Sequence, residues 1–183
     1  DLDLVSGDPA AVEATFRTSG TRAGSHRRGT HHIQSMALYR ALSLPWFRAN
    51  LLPDLAPGDR IRIISLIPRA DTLPDSSLST MVEFVMEDVA ASGSATVATP
   101  DRGVDAPALL RALGAAEADG VPVLLLGTAF AFVHAVDALT TGGHAFRLAA
   151  GSRAMETGGF KGRSREVPRD ELYASIEGCG GLA

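Results

Sequence analysis

Gly120-Val121-Pro122-Val123-Leu124-Leu125-Leu126-Gly127-Thr128 is the stretch that decides the fold class. Val121 to Leu126 is a short, wholly apolar run closed at each end by glycine, the pattern of a strand buried on both faces. Thr128 stands where an N-cap belongs, ahead of Phe130, Val133, Val136 and Leu139 at helical spacing. On the other side, Asp105 can cap a helix with Pro107 in its first turn. That helix carries Leu109, Leu110 and Leu113 and ends at Gly120.

The same alternation extends outward. Arg60 to Ile67 interleaves arginine with isoleucine and then becomes solidly apolar, a strand entering a sheet core. Pro68 to Asp75 reads as a loop. Thr80 and Glu83 have capping-box spacing ahead of Phe84, Val85, Met86 and Val89, so a helix is expected from there. Ala95 to Ala98 and Ala145 to Ala149 are short strand candidates, and Asp170 to Ile176 opens a last helix. From Ile33 to Leu52, apolar residues recur at helical spacing, with Pro45 expected to kink or split the helix. Tyr39, Trp46 and Phe47 on it read as core. Strands alternating with helices predict an α/β fold, a mostly parallel sheet flanked by helices.

With 183 residues, 45% apolar and 21% charged, the chain suits one globular domain. A net charge of -4 gives no general pull toward nucleic acid or anionic membrane, and neither is expected as a partner. Cys179 is the single cysteine, so no internal disulfide and no cysteine-based metal cluster can form. No apolar run approaches the roughly 18 residues of a membrane span, and a cytoplasmic location is expected. The chain begins at Asp1 and not at Met, and is read as one incomplete domain truncated at both ends.

Two loops could carry chemistry. Phe16-Arg17-Thr18-Ser19-Gly20-Thr21-Arg22-Ala23-Gly24 combines glycines, which let the backbone approach an anion, with hydroxyl donors and nearby cations. It lacks the Gly-Lys-Ser/Thr ending of the NTPase phosphate loop. Met155-Glu156-Thr157-Gly158-Gly159-Phe160-Lys161-Gly162-Arg163 follows the strand candidate Ala145 to Ala149, where ligands of open α/β sheets bind. For both, a solvated surface turn is the competing reading. His31 and His32 stand at the mouth of the following helix and could orient a carboxylate or phosphate. Zinc is not expected there, because no third ligand stands at metal spacing. His134 reads as structural, His26 and His144 as loop surface, and Glu83, Glu87 and Asp88 as an exposed helix face. Cys179, between glycines with no neighbouring base, is not assigned as a nucleophile.

Thr18-Ser19-Gly20-Thr21 resembles the phosphate loop of AMP-forming, adenylate-forming enzymes. The run from Glu156 through Thr-Gly-Gly-Phe-Lys-Gly-Arg-Ser-Arg-Glu-Val-Pro-Arg-Asp-Glu-Leu to Tyr173 is similar to a signature of the acyl-protein synthetase (LuxE-type) family. His31-His32 before Leu38-Tyr39, Ser65-Leu66-Ile67-Pro68, Ser76-Ser77-Leu78-Ser79-Thr80-Met81 and Leu126-Gly127-Thr128 follow in the family's order. The resemblance implies part of an N-terminal adenylation domain that uses ATP and Mg2+ to convert a fatty or other carboxylic acid to acyl-AMP. The acyl group would then pass to a thiol and onward to an acyl-accepting reductase partner, a chemistry the family associates with bioluminescence. It implies that Thr18, Ser19, Gly20 and Thr21, with Arg22, hold the β- and γ-phosphates, and that Thr157, Gly158 and Gly159 line the adenine and α-phosphate, with Lys161 facing phosphate. Arg22 departs from the family's second threonine. The family's Tyr-Gly-x-Thr-Glu motif and distal lysine fall beyond Ala183, so the chain alone is expected not to turn over. A coenzyme A ligase of the phenylacetate-activating kind and a non-catalytic nucleotide- or acyl-binding module are the alternatives.

Overall fold

Four parallel strands form the centre of the molecule, in a computed structural model that describes residues 7–18, 28–158 and 167–180. After a 3-10 turn at Pro9–Ala11, β1 (Ala14–Arg17) and β2 (Thr30–Ile33) pair as an antiparallel hairpin. Then come α1 (Met36–Leu51), β3 (Arg62–Ser65), α2 (Ser77–Val89) and β4 (Ala95–Thr96). A two-stranded ribbon of β5 (Ala98–Thr99) and β6 (Gly103–Val104) leads into α3 (Ala106–Asp119). The chain continues through β7 (Val123–Gly127), α4 (Ala129–Thr141), β8 (Arg153–Glu156) and α5 (Arg169–Gly180). The sheet runs β4-β3-β7-β8, so the α/β class and the flanked parallel sheet stand as the sequence implies.

Side-chain alternation divides the core in two. Ile64, Leu66, Val123 and Leu125 face one layer, where they meet Leu109 and Leu113 of α3, Phe132 and Leu139 of α4, and Leu172 and Ile176 of α5. Ile61, Ile63, Leu124 and Leu126 face the other, against Phe47 of α1 and Val82, Val85 and Val89 of α2. Each fully buried aliphatic side chain contributes about 1.5–3 kcal/mol. Both faces are covered, which is why the central strands read as unbroken apolar runs.

Local cap chemistry sets the helix ends. Asp105 accepts from the Ala108 amide at 2.9 Å and Thr128 from the Ala131 amide at 3.2 Å. Gly120 closes α3 in the left-handed region at φ 62°. Other expectations are corrected. The helix after the hairpin starts at Met36 under a Ser35 cap, and His31 to Ile33 lie in β2. Pro45 does not split α1: its ring is on the exposed side, where water can serve the carbonyl it leaves free. α2 is capped by Ser76, whose hydroxyl accepts from the Ser79 amide at 3.2 Å, so it begins before Thr80. Ala145 to Ala149 forms no strand. Phe146 and Leu148 there are apolar because they pack on the α3–α5 layer, and the fourth sheet strand is the polar Arg153–Glu156. Trp46, expected in the core, is 73% exposed, while Phe47 beside it is 5% exposed. His134 lies exposed against the Phe130 ring. Cys179 sits half-buried in the last turn of α5, and its carbonyl takes the Phe146 amide. Among the described residues, no helix is long and apolar enough to cross a membrane.

Candidate functional site

The carboxyl ends of β3 and β7 make the natural place for a ligand. β3 leads into α2 on one face and β7 into α4 on the other, so their loops part at the kind of switch point where open α/β sheets bind ligands. Ser65, fully buried at the end of β3, both accepts from the Ile67 amide (3.1 Å) and donates to the Ile67 carbonyl (3.0 Å), which turns the chain out of the sheet. The N-termini of α2 and α4 both lie at this rim, and their unpaired amide ends favour negative charge.

The first of the two loops joins the rim through its neck. The Arg17 amide donates to the Asp75 carbonyl at 2.8 Å, and Arg28 pairs with the Asp75 carboxylate at 3.0 Å. Asp75 directly precedes the cap of α2, so the hairpin is tied to the carboxyl-end side of β3. Thr18 closes the neck: its amide donates to the Gly29 carbonyl and its hydroxyl accepts from the Gly29 amide, both at 2.8 Å. Arg28 also donates to the Thr18 carbonyl at 2.7 Å. The Thr18 hydroxyl thus has a structural partner already, with its proton left to donate. Ser19, Gly20, Thr21 and Arg22 lie outside the described residues.

The second loop leaves the edge of the same sheet. Thr157 continues the pairing of β8 with β7, its amide donating to the Gly127 carbonyl at 3.1 Å. Gly158 follows at φ 74°, a left-handed conformation that disfavours any side chain. Its amide donates to the Glu156 carboxylate, whose other oxygen accepts from the Tyr173 hydroxyl at 3.4 Å. Arg169 donates to that hydroxyl at 2.7 Å and lies over the Tyr173 ring. Its guanidinium pKa is raised, chiefly by the bond to Tyr173. Glu156 therefore stands where an incoming anion would have to compete for the Gly158 amide. Gly159 and Lys161 lie outside the described residues.

His31 and His32 are successive residues of a strand, so their side chains point to opposite faces and do not act as a pair. His31 is exposed. His32 shares a hydrogen bond with the Thr15 hydroxyl through Nδ1 at 3.1 Å, and its buried Nε2 has no partner among the described residues. Tyr39 locks the start of α1 to that of α2 by donating to the Ser77 carbonyl at 3.1 Å, and burial pushes its phenol pKa up.

The described cations at this rim are largely spoken for. Arg28 is held by Asp75, and Arg69 forks onto Asp71 at 2.9 Å, which raises the Arg69 pKa and lowers that of Asp71. Sequence reasoning gave no individual role to Arg69, Ser79, Glu156 or Tyr173, although the last three stand in the runs quoted for the resemblance. Only the Ser76-to-Ser79 capping spacing could have pointed to one of them. Among the described residues, no group of three or more His, Cys, Asp or Glu could hold a metal ion. Comparison with known proteins finds no family model, no curated protein and no solved structure that matches this chain.

Proposed function

We propose that the chain is the phosphate- and base-binding wall of an AMP-forming acid–thiol ligase. The observation that carries the reading is that Thr18 and Thr157, the residues from which the two glycine-containing segments depart, are both tied to the carboxyl-end side of one parallel sheet, beside the N-termini of α2 and α4. In the reaction, a carboxylate oxygen of a fatty or other acid attacks the α-phosphorus of ATP. The new bond is O–P, which makes a mixed acyl-phosphate anhydride, and the bond from the α-phosphorus to the bridging oxygen breaks to release pyrophosphate. A thiolate then attacks the acyl carbonyl and AMP leaves. The first step brings two anions together, so catalysis rests on fixed dipoles and cations that neutralise phosphate.

On this reading Thr18, Ser19, Gly20 and Thr21 hold the β- and γ-phosphates with Arg22. Thr157, Gly158 and Gly159 line the base and the α-phosphate, and Lys161 faces phosphate. His31, exposed on β2, is free to meet the acid's carboxylate, whereas His32 is engaged with Thr15. Mg2+, implied by the resemblance, would come with the nucleotide and supply positive charge to the phosphates; among the described residues no group of three or more His, Cys, Asp or Glu could hold it. Glu156 must release the Gly158 amide for phosphate to use it.

Acid-dependent exchange of labelled pyrophosphate into ATP by the parent protein tests this directly. Replacing Ser19 and Thr21 together by alanine should lower exchange by about a hundredfold or more, the scale of two lost hydrogen bonds to a charged group. A parent that exchanges pyrophosphate with no carboxylic acid at all sinks the proposal.

A further inference from the structure

A cleft opens between α2 and the carboxyl ends of β3 and β4. It has about 60 Å3 of room, several times the roughly 10–15 Å3 that one water needs. Ser79 lines it from the first turn of α2, only 1% exposed, and its hydroxyl has no hydrogen-bond partner among the described residues. A buried hydroxyl without a partner costs about 1–3 kcal/mol, so it calls for an occupant. Glu83 lies one helical turn further along and lines the same cleft. Its carboxylate likewise takes no hydrogen bond or ion pair among the described residues, while Arg69 feels its charge. Ile67, Val82 and Met86 supply apolar walls.

Charge selects among occupants. Arg69 and Glu83 both line the cleft, but the guanidinium of Arg69 is turned onto Asp71 outside it. The Ser76 cap already takes the Ser79 and Thr80 amides. The α2 amides left over by the cap, those of Ser77 and Leu78, do not line this cleft, so a carboxylate or phosphate here would meet Glu83 with the Arg69 guanidinium turned onto Asp71.

We propose that this cleft binds a small N–H donor, a primary ammonium or amide carried on a short apolar body, with Ser79 and Glu83 as its acceptors. The proposal does not rest on the adenylation reading: Ser79 stands in the Ser76–Met81 run, but neither it nor Glu83 belongs to the two turns assigned to the nucleotide.

Titration of the chain with n-butylammonium, butyramide and n-butyrate, followed by amide NMR shifts, tests it. The first two should give saturable shifts at Ser79, Glu83 and Thr96, and butyrate none. Glu83→Gln should weaken butylammonium about tenfold and leave butyramide within about twofold, because a charged acceptor is exchanged for a neutral one. Ser79→Ala should weaken both ligands while raising the melting temperature, as an unsatisfied hydroxyl is removed. Butyrate binding as well as the ammonium, shifts that never saturate because the cleft holds only water, or a Ser79→Ala variant that melts lower would each overturn the assignment. Pyrophosphate exchange should be indifferent to Glu83→Gln, so failure here and failure of the ligase reading are separable.

Discussion

β7 and β8 lie side by side in parallel register, Leu124 opposite Arg153 through Gly127 opposite Glu156, and share little else. Every residue of β7 is buried, whereas in β8 none is. β7 is hydrogen-bonded on both sides and covered on both faces, while β8 is the sheet's last strand. The contrast teaches that an apolar run reports coverage, not strand formation. Backbone pairing makes a strand of Arg-Ala-Met-Glu as readily as of Val-Leu-Leu-Leu-Gly once a neighbour offers its amides and carbonyls.

The largest effect should come from testing that contrast within one layer. Leu124 of β7 and Met155 of β8 both touch the α1–α2 layer, but only Leu124 is fully enclosed. Leu124→Ala should cost about 2–5 kcal/mol, as transfer and cavity terms add. Met155→Ala should cost less than half of that, because a half-exposed side chain leaves a space that water can fill. Urea unfolding with unchanged slope is the measurement. Equal losses at the two positions would mean that β8 is enclosed by something not seen here.

A smaller effect is expected at a side chain that joins the two strands at their amino ends. Ser152, buried just ahead of β8, accepts from the Val123 amide at 2.9 Å. Ser152→Ala leaves that buried donor without a partner, which costs about 1–3 kcal/mol. Hydrogen exchange at Val123 should accelerate along with the loss of stability. An unchanged exchange rate would show the serine to be dispensable to the pairing.

The same contrast explains what could be read from the sequence. Asp105, Gly120 and Thr128 were legible because a cap acts on amides or carbonyls within a turn of itself. The apolar run of β7 was legible because both its faces are covered. β8 was not, since its strand character comes from β7 and not from its own residues. Phe146 and Leu148 misled for the converse reason, being buried by helix packing without any strand. Trp46 misled because helical spacing tells which residues share a face but not whether that face is covered. Around the candidate site, glycine and hydroxyl content directed the reading to the loops at Thr18 and Thr157, whose nucleotide role is the proposal made above. The links that tether them, Arg28 to Asp75 and Glu156 to Tyr173, join residues far apart in sequence, and no local pattern announces them.

The smallest expected effect lies at the entrance of β8, where Arg153 forks onto Asp54 at 2.5 and 2.7 Å and also donates to the Leu51 carbonyl at 3.0 Å. This clamps the exposed edge strand to the end of α1. The bond to Arg153 comes first among the causes that lower the Asp54 pKa from 3.8 to about 2. A carboxylate whose pKa is depressed on folding adds stability above its unfolded value and loses it as pH falls toward its folded value. The contribution should therefore be complete above about pH 4 and fade between pH 4 and 2. Asp54→Asn should melt slightly below the parent at pH 6, and the two curves should converge by pH 2. Because Asp54 faces solvent, salt should narrow the gap at pH 6 as well. A gap that stays constant from pH 6 to pH 2 would show that the ion pair contributes nothing, leaving hydrogen bonding to β7 to hold the edge strand.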